Sequence, residues 1–200
     1  MPSQLLFLPG ASGNTAFWAP VAERLGFSGD KCLVGWPGFG ELPADPLVRG
    51  IEDLVAQVVA RLDRPTALIA QSMGGVVAVL AALQRPEQVT HLVLSVTSGG
   101  LDLQGLGAVD WRLGFGAESP QLPVWFCDYR EDLSEQLAGL DIATLLLWGD
   151  ADPISPVSVG ERLATLMPQA HLQVFAGGGH DLAQVMAAQV APLIDEHLAR

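Results

Sequence analysis

Ser72 stands in the stretch AQSMGG, between an apolar run ending at Ala70 and a long apolar pattern opening at Gly74. A serine at a sharp turn from strand into helix has its hydroxyl pushed clear of the sheet. The backbone N–H groups that follow, and the helix N-terminus, then point at any oxyanion formed there. Such a turn needs small flanking residues, and Ala70, Gly74 and Gly75 supply them, in an AxSxG rather than a GxSxG pattern. The hydroxyl alone is a weak nucleophile at neutral pH. Nucleophilic chemistry requires a base within hydrogen-bond reach and a carboxylate that holds the base in its productive tautomer.

Of the four histidines, His91 begins one apolar run, His171 precedes another, and His197 lies in the last helical pattern beside Glu196. His180 has a different setting. It follows Gly177, Gly178 and Gly179, directly after an apolar run, where a glycine turn can carry an imidazole to the edge of a sheet. Imidazole serves as base or acid near pH 7; a helix-capping or simply exposed histidine is the alternative at this position. The expected carboxylate is Asp152 in LLLWGDADPISP, in a turn bounded by Pro153 and Pro156. Asp150, two residues earlier, is expected to be a turn or capping acid, a role open to either aspartate.

Short apolar runs alternate with longer helical patterns almost from the first residue, the signature of βαβ units and a parallel sheet covered on both faces. Strands are expected at Gln4 to Leu8, Cys32 to Gly35, Ala67 to Ala70, His91 to Ser95, Thr144 to Leu147 and Leu172 to Phe175. Helices are expected near Ala16 to Leu25, Ile51 to Leu62, Gly74 to Gln84, Ser158 to Leu166 and Leu182 to Leu198. The fold class is therefore α/β, a doubly wound, mainly parallel six-stranded sheet. Ligands bind outside the carboxyl ends of strands in such sheets, so loops bearing Ser72, Asp152 and His180 converge at one edge.

The alternation fails once, over residues 98–141, where glycines, tryptophans and acids mix without clear period. This reads as a cap insertion within a single domain of residues 1–200, since long loops in compact domains commonly cover sites; a surface excursion without a role is the alternative. Between residues 101 and 141 eight acids face only Arg112 and Arg130, which accounts for about half of the net charge of −12.

The chain has 200 residues, half of them apolar, enough for one sizeable core. With one lysine, Lys31, it carries no basic footprint for nucleic acid or anionic lipid. Thr66 to Leu83 approaches membrane-span length, but Gln71, Ser72, Gly74 and Gly75 interrupt it, and a buried strand followed by a buried helix is expected instead. The start, MPSQLLFLPG, lacks the basic and long apolar regions of a secretory signal, which predicts a cytoplasmic protein. Cys32 and Cys127 have no metal or disulfide spacing and are expected as buried thiols. Neither a metal nor a cofactor is expected, and the expected partner is a small-molecule substrate; no oligomeric state follows from the sequence.

Taken together, these motifs resemble the α/β-hydrolases, over most of the chain. LPGASGNTAFWAPVAERL resembles the family's oxyanion-hole loop and first helix, with Pro9 where a histidine is usual. VGWPGFGELP resembles a loop that often reads DLPGHGxS, with Gly35 and Trp36 replacing the acid and leucine. The chain order Ser, Asp, His is the family's order. The resemblance implies oxyanion donors at the backbone N–H groups of Ala11 and Met73, and catalysis by Ser72, Asp152 and His180. It also implies that the chain opens at the family's third strand, leaving the edge at Cys32 to Gly35 less protected.

Ser72 where some relatives carry aspartate argues against dehalogenation and for acyl transfer to water. An acid-rich cap repels phosphate or CoA unless Arg112 or Arg130 points inward, so a small, neutral or apolar ester is the expected substrate. Trp36, Trp111 and Trp125 are expected to line its pocket, ordinary core packing being the alternative for each. The resemblance leaves open a thioesterase, a lyase-like or C–C bond hydrolase, and a non-catalytic ligand-binding protein.

Overall fold

In a computed structural model, which describes residues 1–112, 123, 125–130 and 132–200, six strands form one sheet in which every pairing is parallel. They are β1 (Gln4–Leu8), β2 (Asp30–Leu33), β3 (Thr66–Gln71), β4 (Val89–Ser95), β5 (Ala143–Gly149) and β6 (Ala170–Phe175), in the spatial order β2-β1-β3-β4-β5-β6. Strands covered on both faces have no solvent side, so they read as continuous apolar runs. That is the pattern of β1 and β3, buried at every residue, whereas the edge strands β2 and β6 are largely open.

The described helices are α1 (Ala19–Ala22), α2 (Ile51–Val59), α3 (Met73–Gln84), α4 (Trp125–Asp128), α5 (Ser134–Ala138), α6 (Val157–Leu166), α7 (Leu182–Val185) and α8 (Ala187–Leu198). The chain steps outward from β1 to β2, then returns to β3 and proceeds to β6. Right-handed crossovers therefore place α1 on one face and α2, α3 and α6 on the other. Side-chain alternation agrees: Gly160 of α6 lies against Trp148, while His197 of α8 lies against His91, and these two strand residues face opposite sides. Strand order reverses between β1 and β3, which opens a crevice at their carboxyl ends. Ala11 follows the first of these strands and Ser72 the second.

Several expected boundaries shift. The second strand is Asp30–Leu33 rather than Cys32 to Gly35, and α1 keeps one turn of the expected Ala16 to Leu25. Cys32 is exposed on that edge strand, not buried, and Cys127 is half-buried. The expected final helix is broken at Met186, which both ends α7 and starts α8, because its backbone leaves helical geometry there (φ −101, ψ 27). In the insertion over residues 98–141, α4 and α5 are described, while residues 113–122, 124 and 131 lie outside the described residues. No helix among the described residues is long and apolar enough to cross a membrane.

Candidate active site

β3 runs into α3 through Ser72, whose φ of 53° and ψ of −123° lie outside the regions open to most side chains. The turn is held on both sides. Ser72 N–H donates to the Ser95 carbonyl at 3.0 Å, and the Ser72 carbonyl accepts from Gly75 N–H at 2.9 Å. The flanking glycines are required by what surrounds them. A Cβ at Gly74 would lie 2.5 Å from the Pro9 carbonyl oxygen, and one at Gly75 would lie 2.5 Å from Thr97 Oγ1. Ala70 is buried within β3, and the non-glycine residues with positive φ among the described ones are Ser72 and Val96. Its methyl therefore sits on ordinary extended backbone, which is why glycine is not needed there.

His180 reaches Ser72 from the loop after β6. Its Nε2 lies 3.0 Å from Ser72 Oγ and its Nδ1 2.7 Å from Asp152 Oδ2. The Asp152 side chain is fully excluded from solvent, and its second oxygen, Oδ1, accepts from Ile154 N–H at 2.9 Å. An ionised carboxylate only accepts, so facing one Nδ1 carries the imidazole proton and Nε2 is left to accept from the serine hydroxyl. Gln71 Nε2 donates to the His180 carbonyl at 3.1 Å and ties this loop to the end of β3. Asp150 acts on the backbone instead. Its Oδ1 accepts from Gly177 N–H at 2.7 Å and closes the turn that leads to His180.

The loop after β1 carries Ala11. Two tryptophans hold it from below, Trp18 Nε1 donating to the Leu8 carbonyl at 3.1 Å and Trp36 Nε1 to the Pro9 carbonyl at 2.8 Å. Trp36 is fully buried and lines neither cavity at Ser72, which corrects its expected place in a substrate pocket. A buried indole has one N–H to satisfy, and the Pro9 carbonyl satisfies it. Trp125 also lies outside both linings and packs edge-on against Phe39 at 5.8 Å between ring centres. Trp111 does line them, stacked on Phe126 at 4.9 Å.

Two cavities meet at Ser72. One, of about 580 Å³, has Ile51, Met73, Val76 and Leu101 on its apolar side and Asp102, Asp110, Arg112, Arg130 and Asp132 at its rim. The other, of about 460 Å³, is lined by Ala11, Asn14, Phe17, Gln71, His180 and Gln184. Ser72, Trp111, Phe126 and Ile154 belong to both. Of the rim arginines, Arg112 Nη1 lies 3.4 Å from Asp110 Oδ1 while its Nε is buried without a hydrogen-bond partner among the described residues, and Arg130 Nη1 donates to the Cys127 and Tyr129 carbonyls. Among the described residues, no three His, Cys, Asp or Glu are grouped as ligands for a metal ion.

Thr97, Gln71 and Ile154 were not anticipated from the sequence. Thr97 follows β4 by two residues, and the pairing of Ser95 with Gln71 across β3 and β4 is what brings it under the serine turn. A serine at such a turn, bonded to a histidine that is bonded to a buried aspartate, can attack a carbonyl carbon and hand its proton to the imidazole.

A family model described as alpha/beta hydrolase family matches residues 5–193. Among curated proteins, the chain is 34% identical over 89 residues to a putative non-heme chloroperoxidase of Synechocystis sp., covering 42% of this chain and 31% of that protein. It is 31% identical over 96 residues to a pimeloyl-[acyl-carrier protein] methyl ester esterase of Aliivibrio salmonicida, covering 48% and 36% respectively. The chain thus spans about a third of the length of these two relatives. Among solved structures, a thermophilic esterase from Thermogutta terrifontis superposes with a TM-score of 0.82 at 20% identity, covering 98% of this chain and 89% of that one, a likeness of fold.

Proposed function

The chain belongs to the alpha/beta hydrolase family, and from that premise we propose that it is a serine hydrolase that cleaves small, uncharged esters through an acyl-enzyme. The observation that carries this reading is the unbroken contact from Ser72 Oγ to His180 Nε2 at 3.0 Å and from His180 Nδ1 to Asp152 at 2.7 Å.

In the proposed reaction His180 Nε2 takes the Ser72 proton as Oγ bonds to the ester carbonyl carbon. The N–H groups of Ala11 and Met73 donate to the oxyanion of the tetrahedral intermediate. Its collapse breaks the carbon–oxygen bond, and the imidazolium returns the proton to the departing alcohol. Water, deprotonated by the same imidazole, then releases the acid and restores Ser72.

The leaving oxygen must lie near His180, which lines the 460 Å³ cavity, so the alcohol is assigned there. The acyl group is assigned to the 580 Å³ cavity, against Ile51, Met73, Val76 and Leu101. At the rim of that cavity three aspartates outnumber two arginines, a balance that disfavours an anionic acyl group. Hydrolysis of p-nitrophenyl acetate and butyrate by wild type and Ser72→Ala tests the reading. Turnover by wild type and its loss in the variant are expected; equal rates would overturn it.

A further inference from the structure

The Ser72 carbonyl oxygen receives a second and shorter hydrogen bond, from Thr97 Oγ1 at 2.6 Å. That carbonyl belongs to the same peptide unit as Met73 N–H, one of the two donors assigned to the oxyanion. Because the unit is planar and trans, its C=O and N–H point in opposite directions, and orienting one orients the other. We propose that Thr97 is a positioning residue for the oxyanion hole: its hydroxyl pins the Ser72–Met73 peptide plane and so aims Met73 N–H. This rests on the serine hydrolase reading above. A hydrogen bond accepted at the carbonyl also polarises the amide and strengthens its N–H as a donor.

Thr97 is itself held on several sides, although it lines neither cavity. The hydroxyl that donates to Ser72 also accepts from Gly99 N–H at 3.0 Å, so its single proton is committed to the Ser72 carbonyl. Its methyl and Cβ pack where a side chain at Gly75 would stand, 2.6 Å from an added Cβ. Its carbonyl accepts from Ser155 Oγ at 3.4 Å, on the loop that carries Asp152. The preceding residue, Val96, is fully buried with φ of 43°, a conformation rare for a β-branched residue. Strain of this kind persists only where the surroundings impose it, and here it turns the chain so that Thr97 faces the serine turn.

The test compares Thr97→Val, which keeps the shape and removes the hydroxyl, with Thr97→Ser, which keeps the hydroxyl. With p-nitrophenyl butyrate, Thr97→Val is expected to lose roughly 10- to 100-fold in kcat with KM within about twofold of wild type, less than the loss of a whole oxyanion donor. Thr97→Ser is expected to stay within about threefold of wild type in kcat. A second readout does not depend on turnover. In protein labelled with 15N at methionine, the Met73 amide nitrogen is expected to shift upfield in Thr97→Val and not in Thr97→Ser. If Thr97→Val does not fold, by circular dichroism, Thr97→Ala takes its place in both comparisons. Thr97→Val with wild-type kcat, or Thr97→Ser as impaired as Thr97→Val, overturns the proposal while leaving the ester hydrolase reading intact. A wild type inert towards esters overturns that reading instead, and an unmoved Met73 amide then overturns this one as well.

Discussion

His180 Nδ1 stands 2.7 Å from an oxygen of Asp152, a carboxylate closed off from solvent whose other oxygen is taken by Ile154 N–H. Both acceptor atoms therefore have a fixed donor, and the imidazole can hold only the tautomer that leaves Nε2 facing Ser72. The position and tautomer of the imidazole are set by one side chain.

Replacing Asp152 with Asn tests this directly. The amide can keep the Ile154 contact and the shape, but it can present an N–H to His180 Nδ1 and reverse the tautomer. The kcat of Asp152→Asn is expected to fall roughly a thousandfold or more, with the melting temperature within a few degrees of wild type. Steady-state kinetics on p-nitrophenyl butyrate, alongside circular dichroism, makes the check. A loss under tenfold would mean that the base is oriented by something other than Asp152.

Ser72→Gly separates stability from chemistry. The strained φ of 53° opposes a side chain and is free for glycine. The variant is expected to be inactive yet more stable by about 1 kcal/mol, the usual size of such relief. The measurement is the urea midpoint at neutral pH with an unchanged slope. A lower midpoint would show that the side chain contributes more than its backbone costs.

At the opposite end of the sheet His91 of β4 and His197 of α8 meet edge to face at 5.1 Å, both buried. Burial is the main cause that holds the His197 pKa down at about 4, with the neighbouring His91 adding to it, and burial likewise lowers His91. A base whose folded pKa is depressed binds its proton more readily when unfolded, so stability falls as pH falls. The loss begins near 6.5, the unfolded value, and is complete near 4. Wild type is expected to lose about 2 kcal/mol between pH 7.5 and 4.5 through His197, and the lowered His91 adds to the loss in the same direction. His197→Gln, which can still donate to the Leu92 carbonyl, is expected to show a smaller loss. Denaturation curves at the two pH values read both; equal losses would place the acid sensitivity elsewhere.

The alternation of strands and helices, and the placing of Ser72, Asp152 and His180 after β3, β5 and β6, were legible because parallel sheets write themselves as apolar runs with chemistry-bearing loops after them. Trp36 was not legible. Whether an indole lines a pocket or props a loop depends on the carbonyl that its N–H meets, here that of Pro9, brought near by the pairing of β1 with β2. Thr97 escaped for the same reason: its partner, the Ser72 carbonyl, is a neighbour across β3 and β4 and not along the chain. His91 and His197 carried no local mark of each other, since only the docking of α8 on the sheet brings them together.

Two of the small residues that flank the serine turn, Gly74 and Ala70, differ in what they do, and substitution separates them. A Cβ at Gly74 would lie 2.5 Å from the Pro9 carbonyl oxygen and 2.6 Å from that of Leu8. Both are backbone atoms at the end of β1, anchored by Trp36 and Trp18, so they cannot yield. Gly74→Ala must push α3 away from the loop that carries Ala11. A stability loss of about 2 kcal/mol is expected, the typical cost of forcing a methyl into a packed site, together with a fall in kcat larger than the change in KM. Ala70→Gly acts in the opposite sense. Ala70 is buried in β3 with its backbone paired to Leu8 and Leu94, where glycine brings no conformational advantage and adds flexibility to the unfolded chain. It is expected to lower stability by about 1 kcal/mol and to leave kcat within twofold of wild type. If Ala70→Gly instead raised kcat several-fold, the alanine would be straining the serine turn, and the geometry of that turn would have to be set by its strand flank as well as by its helix flank.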